Sequence, residues 1–396
     1  MMFRAFDIAR LPQIVFGGGR IAELPGHIAT QGRRALFVLG RHSFRNTPTW
    51  AKLQEDLRSA GIDWKETTVG GEPSPELVDA EVAAHKDDDI DVVVGAGGGS
   101  VLDAAKAIAG LLRPGNSVMD HLEGVGRGVP YRGPAVPLIA VPTTAGTGSE
   151  ATKNAVLSRR GEEGFKKSFR DDRLVARVAL VDPELLVSCS PELIAANGMD
   201  AFTQLLESYV STRANPMTDA LARSGIEAFR DGFWAAWEQQ ADAAEARARL
   251  AYASMISGIT LAQTGLGSVH GMASPLGAYF PAPHGVVCGT LVAEATEMNI
   301  RALHEREPDD IALQKYADVG RLLSPEPLPD AEAALADLVE RLRQWTERLH
   351  LPKLSRYGMR PKDLDRVAAH SGGSSMKTNP LVLTADELKA VLQRRL

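Results

Sequence analysis

Along the first half of the chain, short apolar runs alternate with stretches of helical spacing. Residues 33–40 (RRALFVLG), 91–100 (DVVVGAGGGS) and 135–144 (AVPLIAVPTT) are β-branched runs that end in Gly, Ser or Thr. Among them, residues 49–61 (TWAKLQEDLRSAG) and 75–89 (PELVDAEVAAHKDDD) repeat apolar positions three and four apart. A further strand reads from residues 175–186 (VARVALVDPELL), with Pro183 ending it. Alternation of this kind predicts a parallel sheet with helices over its faces. After about residue 184 the texture changes. Residues 190–211, 216–240 and 242–263 are long, Ala-rich and periodic at 3.6, and strands become scarce. Ser190 before Pro191 and Glu192 reads as an N-cap with proline in the first turn. The expected architecture is an α/β Rossmann-like N-terminal domain, residues 1–183, followed by an all-α C-terminal domain, residues 184–396.

Composition narrows the class. The 396 residues are 44% hydrophobic and 24% charged, which is globular rather than disordered or fibrous. A net charge of −6 without a basic stripe argues against nucleic acid as a partner. No apolar run reaches bilayer length, and the N-terminus lacks a secretory pattern, so a cytoplasmic protein without membrane association is expected. Cys189 and Cys288 lie far apart and read as buried thiols rather than a disulfide.

Two loops carry candidate ligand chemistry. In residues 95–112 (GAGGGSVLDAAKAIAGLL) a strand runs through glycines into a helix, a shape in which free N–H groups can approach a phosphate. The spacing departs from G-x-G-x-x-G, because Gly95, Gly97 and Gly98 are followed by Ser100 rather than by a third spaced glycine. Residues 142–150 (PTTAGTGSE) offer the hydroxyls of Thr143, Thr144, Thr147 and Ser149 at another strand end, suited to a diphosphate or ribose. In the second half, Asp200 and Gln204 stand one turn apart in GMDAFTQLLESY, residues 198–209, and His270 and His284 are each followed by glycine. Spacing alone allows two unrelated core histidines. With Asp200 added, the set is one that commonly holds zinc or ferrous ion with an open position.

The motifs GGGSVLDAAK, PTTAGTGSE, VDPELL, GMDAFTQLLESY, HGMASPLG and PHG, in this order and spacing, resemble the iron-containing (group III) alcohol dehydrogenase family. The late Asn379–Pro380 pair fits as well. The resemblance implies the two-domain plan shared with dehydroquinate synthases, hydride transfer between an alcohol and an aldehyde or ketone, and an assembly of at least a homodimer. It implies NAD(P) at Gly97, Gly98, Gly99 and Ser100, with Asp103 in the following helix, and at Thr143, Thr144, Thr147, Ser149 and Leu180. Lys166 is expected near a ribose hydroxyl, with Lys167 a close competitor. Where NAD-preferring members often carry an acidic residue, this chain has Gly40, followed by Arg41 and, after His42, by Ser43. Loss of that carboxylate, and a cation beside it, favour NADP(H) or dual use.

The resemblance also implies a divalent metal, Fe2+ or Zn2+, at Asp200, Gln204, His270 and His284. One of these positions departs from the family's pattern, and so does one nearby. Gln204 stands where members carry a histidine, and Ser274 replaces a histidine of the usual HGMAHPLG. Three consequences stay open: Gln204 ligates, or Asp200, His270 and His284 hold the ion with water, or tight binding is lost. The intact donors favour retained but weakened binding. Two other functions also stay open. A dehydroquinate synthase-like metal-dependent lyase or cyclase would need a Lys and Arg cluster that is not found in register. A nucleotide-binding homologue that has lost catalysis is supported only by Gln204 and Ser274.

Overall fold

The computed structural model describes residues 5–239 and 243–396. The chain divides into two compact units, residues 9–159 with 164–189, and residues 190–396 joined by 5–8 and 160–163 among those described.

The first unit is a parallel sheet wrapped by helices. In chain order it runs β1 (Gln13–Phe16), α1 (Leu24–Ala29), β2 (Arg34–Gly40), α2 (Pro48–Ser59), β3 (Asp63–Val69), α3 (Pro75–His85), β4 (Val92–Gly97), α4 (Gly99–Leu111), β5 (Leu138–Pro142), β6 (Asn154–Arg159), β7 (Phe165–Arg170) and β8 (Val178–Val181). Six strands pair in parallel in the order β1-β8-β5-β4-β2-β3. Alternate residues of β2 and β4 feed two separate cores. Leu36, Val38 and Val93 pack with α3 and α4, whereas Phe37, Leu39, Val92 and Val94 pack with α1 and α2. Burial on both faces explains why these strands read as unbroken apolar runs. The expected strands at 33–40, 91–100, 135–144 and 175–186 are all present, the first beginning one residue later and the other three shorter at both ends.

The sequence reading passed over β1, β3 and the antiparallel hairpin of β6 and β7. β3 reads DWKETTV and is an edge strand with Asp63, Lys65 and Thr68 exposed, so it carries no apolar run. From β2 the chain steps outward to β3, and from β4 it steps the opposite way to β5. The carboxyl ends of β2 and β4 therefore flank the point where strand order reverses, the usual place for a ligand in such sheets.

The second unit is helical: α5 (Pro191–Val210), α6 (Pro216–Trp237), α7 (Ala243–Thr264), α8 (Ser268–Tyr279), α9 (His284–Arg306), α10 (Ile311–Leu323), α11 (Ala331–Arg348), α12 (Leu364–His370) and α13 (Ala385–Arg394). The Ser190 hydroxyl accepts from Leu193 N at 3.3 Å, the cap its position implies. From Gly198 to Val210 every residue of α5 is buried, so this helix forms the centre of its unit rather than its surface. Gly198 makes that possible, since a Cβ there would stand 2.4 Å from the Phe233 ring on α6. No helix among the described residues is long and apolar enough to cross a membrane.

Close packing of β4 on α4 rests on Gly95, where a Cβ would stand 2.7 Å from the Ala105 Cβ. Gly95→Ala is expected to destabilise the protein by about 1–3 kcal/mol through overpacking, read as a lower denaturation midpoint. An unchanged midpoint would show that the sheet accommodates the methyl group.

Candidate metal centre and nucleotide-binding loops

The buried helix α5 presents Asp200, Gln204 and Glu207 one turn apart along one side. Asp200 is 1% exposed. His270 comes from the first turn of α8, and His284 is the first residue of α9, after the break that Pro281 and Pro283 impose. His270 Nε2 lies 3.3 Å and His284 Nε2 3.8 Å from Asp200 Oδ1. One turn beyond His284, the Cys288 sulfur lies 3.6 Å from His270 Nε2 and 3.8 Å from His284 Nε2. One donor atom each from Asp200, His270, His284 and Cys288 all fall within 4.8 Å of one another.

The electrostatics suit a cation. Burial opposes ionisation of Asp200, yet His284 and His270 beside it bring its carboxyl down to about 2. Its Oδ2 is buried and, among the described residues, has no hydrogen-bond partner. Burial would lower the His270 pKa, but Cys288, the Glu207 carboxylate and Asp200 raise it well above the usual imidazole range. Burial pushes the Cys288 thiol up to about 12. A carboxylate with one oxygen unpartnered, facing two imidazoles and a sulfur, is the environment a divalent ion completes.

Glu207 is the residue the sequence reading missed here. Its Oε2 lies 2.6 Å from His270 Nδ1, and its Oε1 accepts from Val269 N at 2.7 Å. Gly267 caps α8 without a side chain, and a Cβ there would stand 2.9 Å from Glu207 Oε1 and 2.7 Å from Asn379 Oδ1. Asn379 accepts from Ser268 N at 3.0 Å. The helix start is thus capped by Glu207 and Asn379 from elsewhere in the chain, and Glu207 also fixes the His270 ring. Its place seven residues from Asp200 on the same helix side does not by itself mark its role, because its partners Val269 and His270 lie far along the chain. Gln204 is 3% exposed, and its Oε1 accepts from Ser257 Oγ on α7 at 3.1 Å.

In the α/β unit, the predicted loops come together at the carboxyl ends of β4 and β5. Gly97 ends β4, and Gly98 precedes the first turn of α4, which no side chain caps. Thr143 N donates to Gly97 O at 3.0 Å. A Cβ on Gly99 would stand 2.7 Å from Thr147 Oγ1, and one on Gly98 3.3 Å from Thr144 Oγ1, so the glycines let the threonine loop seat against the turn. Ser100 follows in the first turn of α4. Ser149 Oγ donates to Asp103 Oδ1 at 2.6 Å. Gly40 ends β2, and exposed Arg41 lies against Gly70, with exposed Ser43 two residues on. Lys166 on β7 pairs with Glu72 at 2.6 Å. The Leu180 side chain is fully buried in the core beneath the sheet.

Lys106 ties these loops together and was not singled out from the sequence. Although 1% exposed, its Nζ donates to Asn154 O at 2.6 Å, Thr152 Oγ1 at 2.9 Å and Asp103 Oδ1 at 3.2 Å. Burial lowers its pKa, with Asp103 opposing. Lys106→Met, which keeps the bulk and removes the cation, is expected to cost about 3 kcal/mol of stability. A denaturant titration showing no loss would remove Lys106 from this role.

The Iron-containing alcohol dehydrogenase profile matches residues 12–183, and the C-terminal profile of the Fe-containing alcohol dehydrogenase family matches residues 194–396. Alcohol dehydrogenase 4 of Schizosaccharomyces pombe is 33% identical over 386 residues, covering 96% of this chain and 86% of that protein. The NAD-dependent methanol dehydrogenase of Bacillus methanolicus is 27% identical, covering 97% of this chain and 98% of that one. A crystallised 1,3-propanediol oxidoreductase superposes with a TM-score of 0.89 at 27% identity, covering 99% of this chain and 100% of that one. Both cysteines are buried and neither forms a disulfide. With sequence and fold in agreement along both units, the chain belongs to the iron-containing alcohol dehydrogenase family and is an NAD(P)-linked oxidoreductase that interconverts alcohols with aldehydes or ketones.

Proposed function

We propose that the protein works on a small alcohol or carbonyl substrate as a metal-dependent enzyme with NADP(H), or with both nicotinamide cofactors, and that Asp200, His270 and His284 form the core of its metal site. The observation that carries this reading is the buried Asp200 carboxylate, its Oδ1 among converging donors and its Oδ2 without a partner among the described residues. When bound, the cofactor exchanges hydride at the nicotinamide C4 and the ion polarises the substrate oxygen as a Lewis acid.

The chain's own residues set the conditions for that chemistry. Glu207 holds His270 through Nδ1, which leaves Nε2 directed at the donor cluster. The uncapped first turn of α4, with no Cβ at Gly98 or Gly99, leaves backbone N–H groups to meet a diphosphate. The hydroxyls of Thr144 and Thr147 flank the same turn and suit the nicotinamide side. Ser274 cannot carry a proton as an imidazole would, so the alcohol proton leaves through water, a ribose hydroxyl or another side chain. Arg41 follows the end of β2 with no acidic residue in register, which supports pairing with a 2′-phosphate. A homodimer in the cytoplasm completes the reading.

Elemental analysis of protein purified without chelator is expected to find near-stoichiometric iron or zinc. Chelator stripping should abolish NADPH-dependent aldehyde reduction, and adding the ion back should restore it. Metal-free protein with undiminished turnover would refute the metal site. Arg41→Ala should raise the KM for NADPH about tenfold, the scale of a lost charge-assisted hydrogen bond, while the NADH value stays put. Equal changes for both cofactors would assign Arg41 no part in the preference.

A further inference from the structure

We infer that Cys288 supplies the fourth protein ligand of the metal site, as a thiolate, in place of Gln204. This inference rests on the metal reading above and names a donor that reading does not require.

The argument begins with distances. Around a tetrahedral ion, typical bond lengths place two N or O donors ~3.4 Å apart and a sulfur–nitrogen pair ~3.6 Å apart. In this site Asp200 Oδ1 lies 3.3 and 3.8 Å from the two imidazole nitrogens, and Cys288 Sγ lies 3.6 and 3.8 Å from the same nitrogens. Sulfur thus stands at ligand spacing from both histidines. It arrives there because Cys288 is one turn after His284 on α9, so both side chains leave the same helix side.

The second observation is independent of the cysteine. Asp200 Oδ2 is buried and unpartnered among the described residues, in a residue only 1% exposed. A cation on this carboxylate would offset its buried negative charge, and Cys288 belongs to the same cluster of donors. Gln204 contributes an amide oxygen that already accepts from Ser257 Oγ. A neutral amide oxygen is also a poorer ligand than thiolate for a borderline-soft ion.

The change of donor has chemical consequences. Carboxylate plus thiolate place two negative charges on the ion where carboxylate plus a third imidazole would place one. The set of one carboxylate, two imidazoles and one sulfur suits zinc better than magnesium or manganese, whose preferred ligands are oxygens. Binding also releases the thiol proton, so uptake of the ion and loss of a proton go together.

The test reads the ligand directly. The full-length protein is stripped, loaded with Co(II), and its absorption is recorded. Wild type should bind one equivalent and show the near-ultraviolet sulfur-to-cobalt charge-transfer band together with visible bands of tetrahedral intensity. Cys288→Ser should bind cobalt at least about tenfold more weakly, the lower end of what losing even a supporting partner of a ligand costs, and should lack the band. Cys189→Ser, which changes the other cysteine, should keep it. Stoichiometric cobalt in wild type without the sulfur band would overturn the inference and leave the metal site standing. Failure of wild type to bind cobalt would overturn both. Because the decisive spectrum is that of wild type, a variant that folds poorly does not blunt the test.

Discussion

Burying the Asp200 carboxylate with one oxygen unpartnered is the constraint around which the helical unit is organised. An ion taken from water into a protein interior costs several kcal/mol unless partners replace its hydration. Two imidazoles and a sulfur beside the carboxylate supply part of that replacement. The helices are arranged to keep these groups together. α5 is buried along its middle, Gly198 brings it against Phe233, and Gly267 lets the Glu207 carboxylate reach both the start of α8 and the His270 ring. Glu207 therefore links the geometry of a helix terminus to the orientation of a donor.

The α/β unit solves a different problem, the close approach of a charged ligand to backbone. Its glycines at 95, 98 and 99 remove side chains where β4, α4 and the threonine loop meet. Lys106 then holds Asp103, Thr152 and Asn154 in one network without reaching solvent. Strand order places this turn beside the end of β2, so Gly40 and Arg41 adjoin the reversal point.

How much of this was legible in the chain depended on whether the signal was local. β2, β4, β5 and β8 were legible because burial on both faces makes them continuous apolar runs. β3 was not, since as an edge strand it exposes Asp63, Lys65 and Thr68 and has no unbroken apolar run. Asp200, His270 and His284 stood out as donor types with glycine or turn signals beside them. Glu207 and Lys106 did not, because each works through partners far away in sequence, such as Val269 for Glu207 and Thr152 for Lys106. From the sequence Cys288 reads only as a buried thiol outside any disulfide. It is buried, but only the fold reveals that the burial lies beside two imidazoles.

Anomalous diffraction at the metal absorption edge, from crystals of protein grown with zinc, tests the central claim most directly. The account predicts one strong peak per chain, enclosed by Asp200, His270 and His284 and within bonding distance of each. No peak at that position, or one confined to the protein surface, would contradict it.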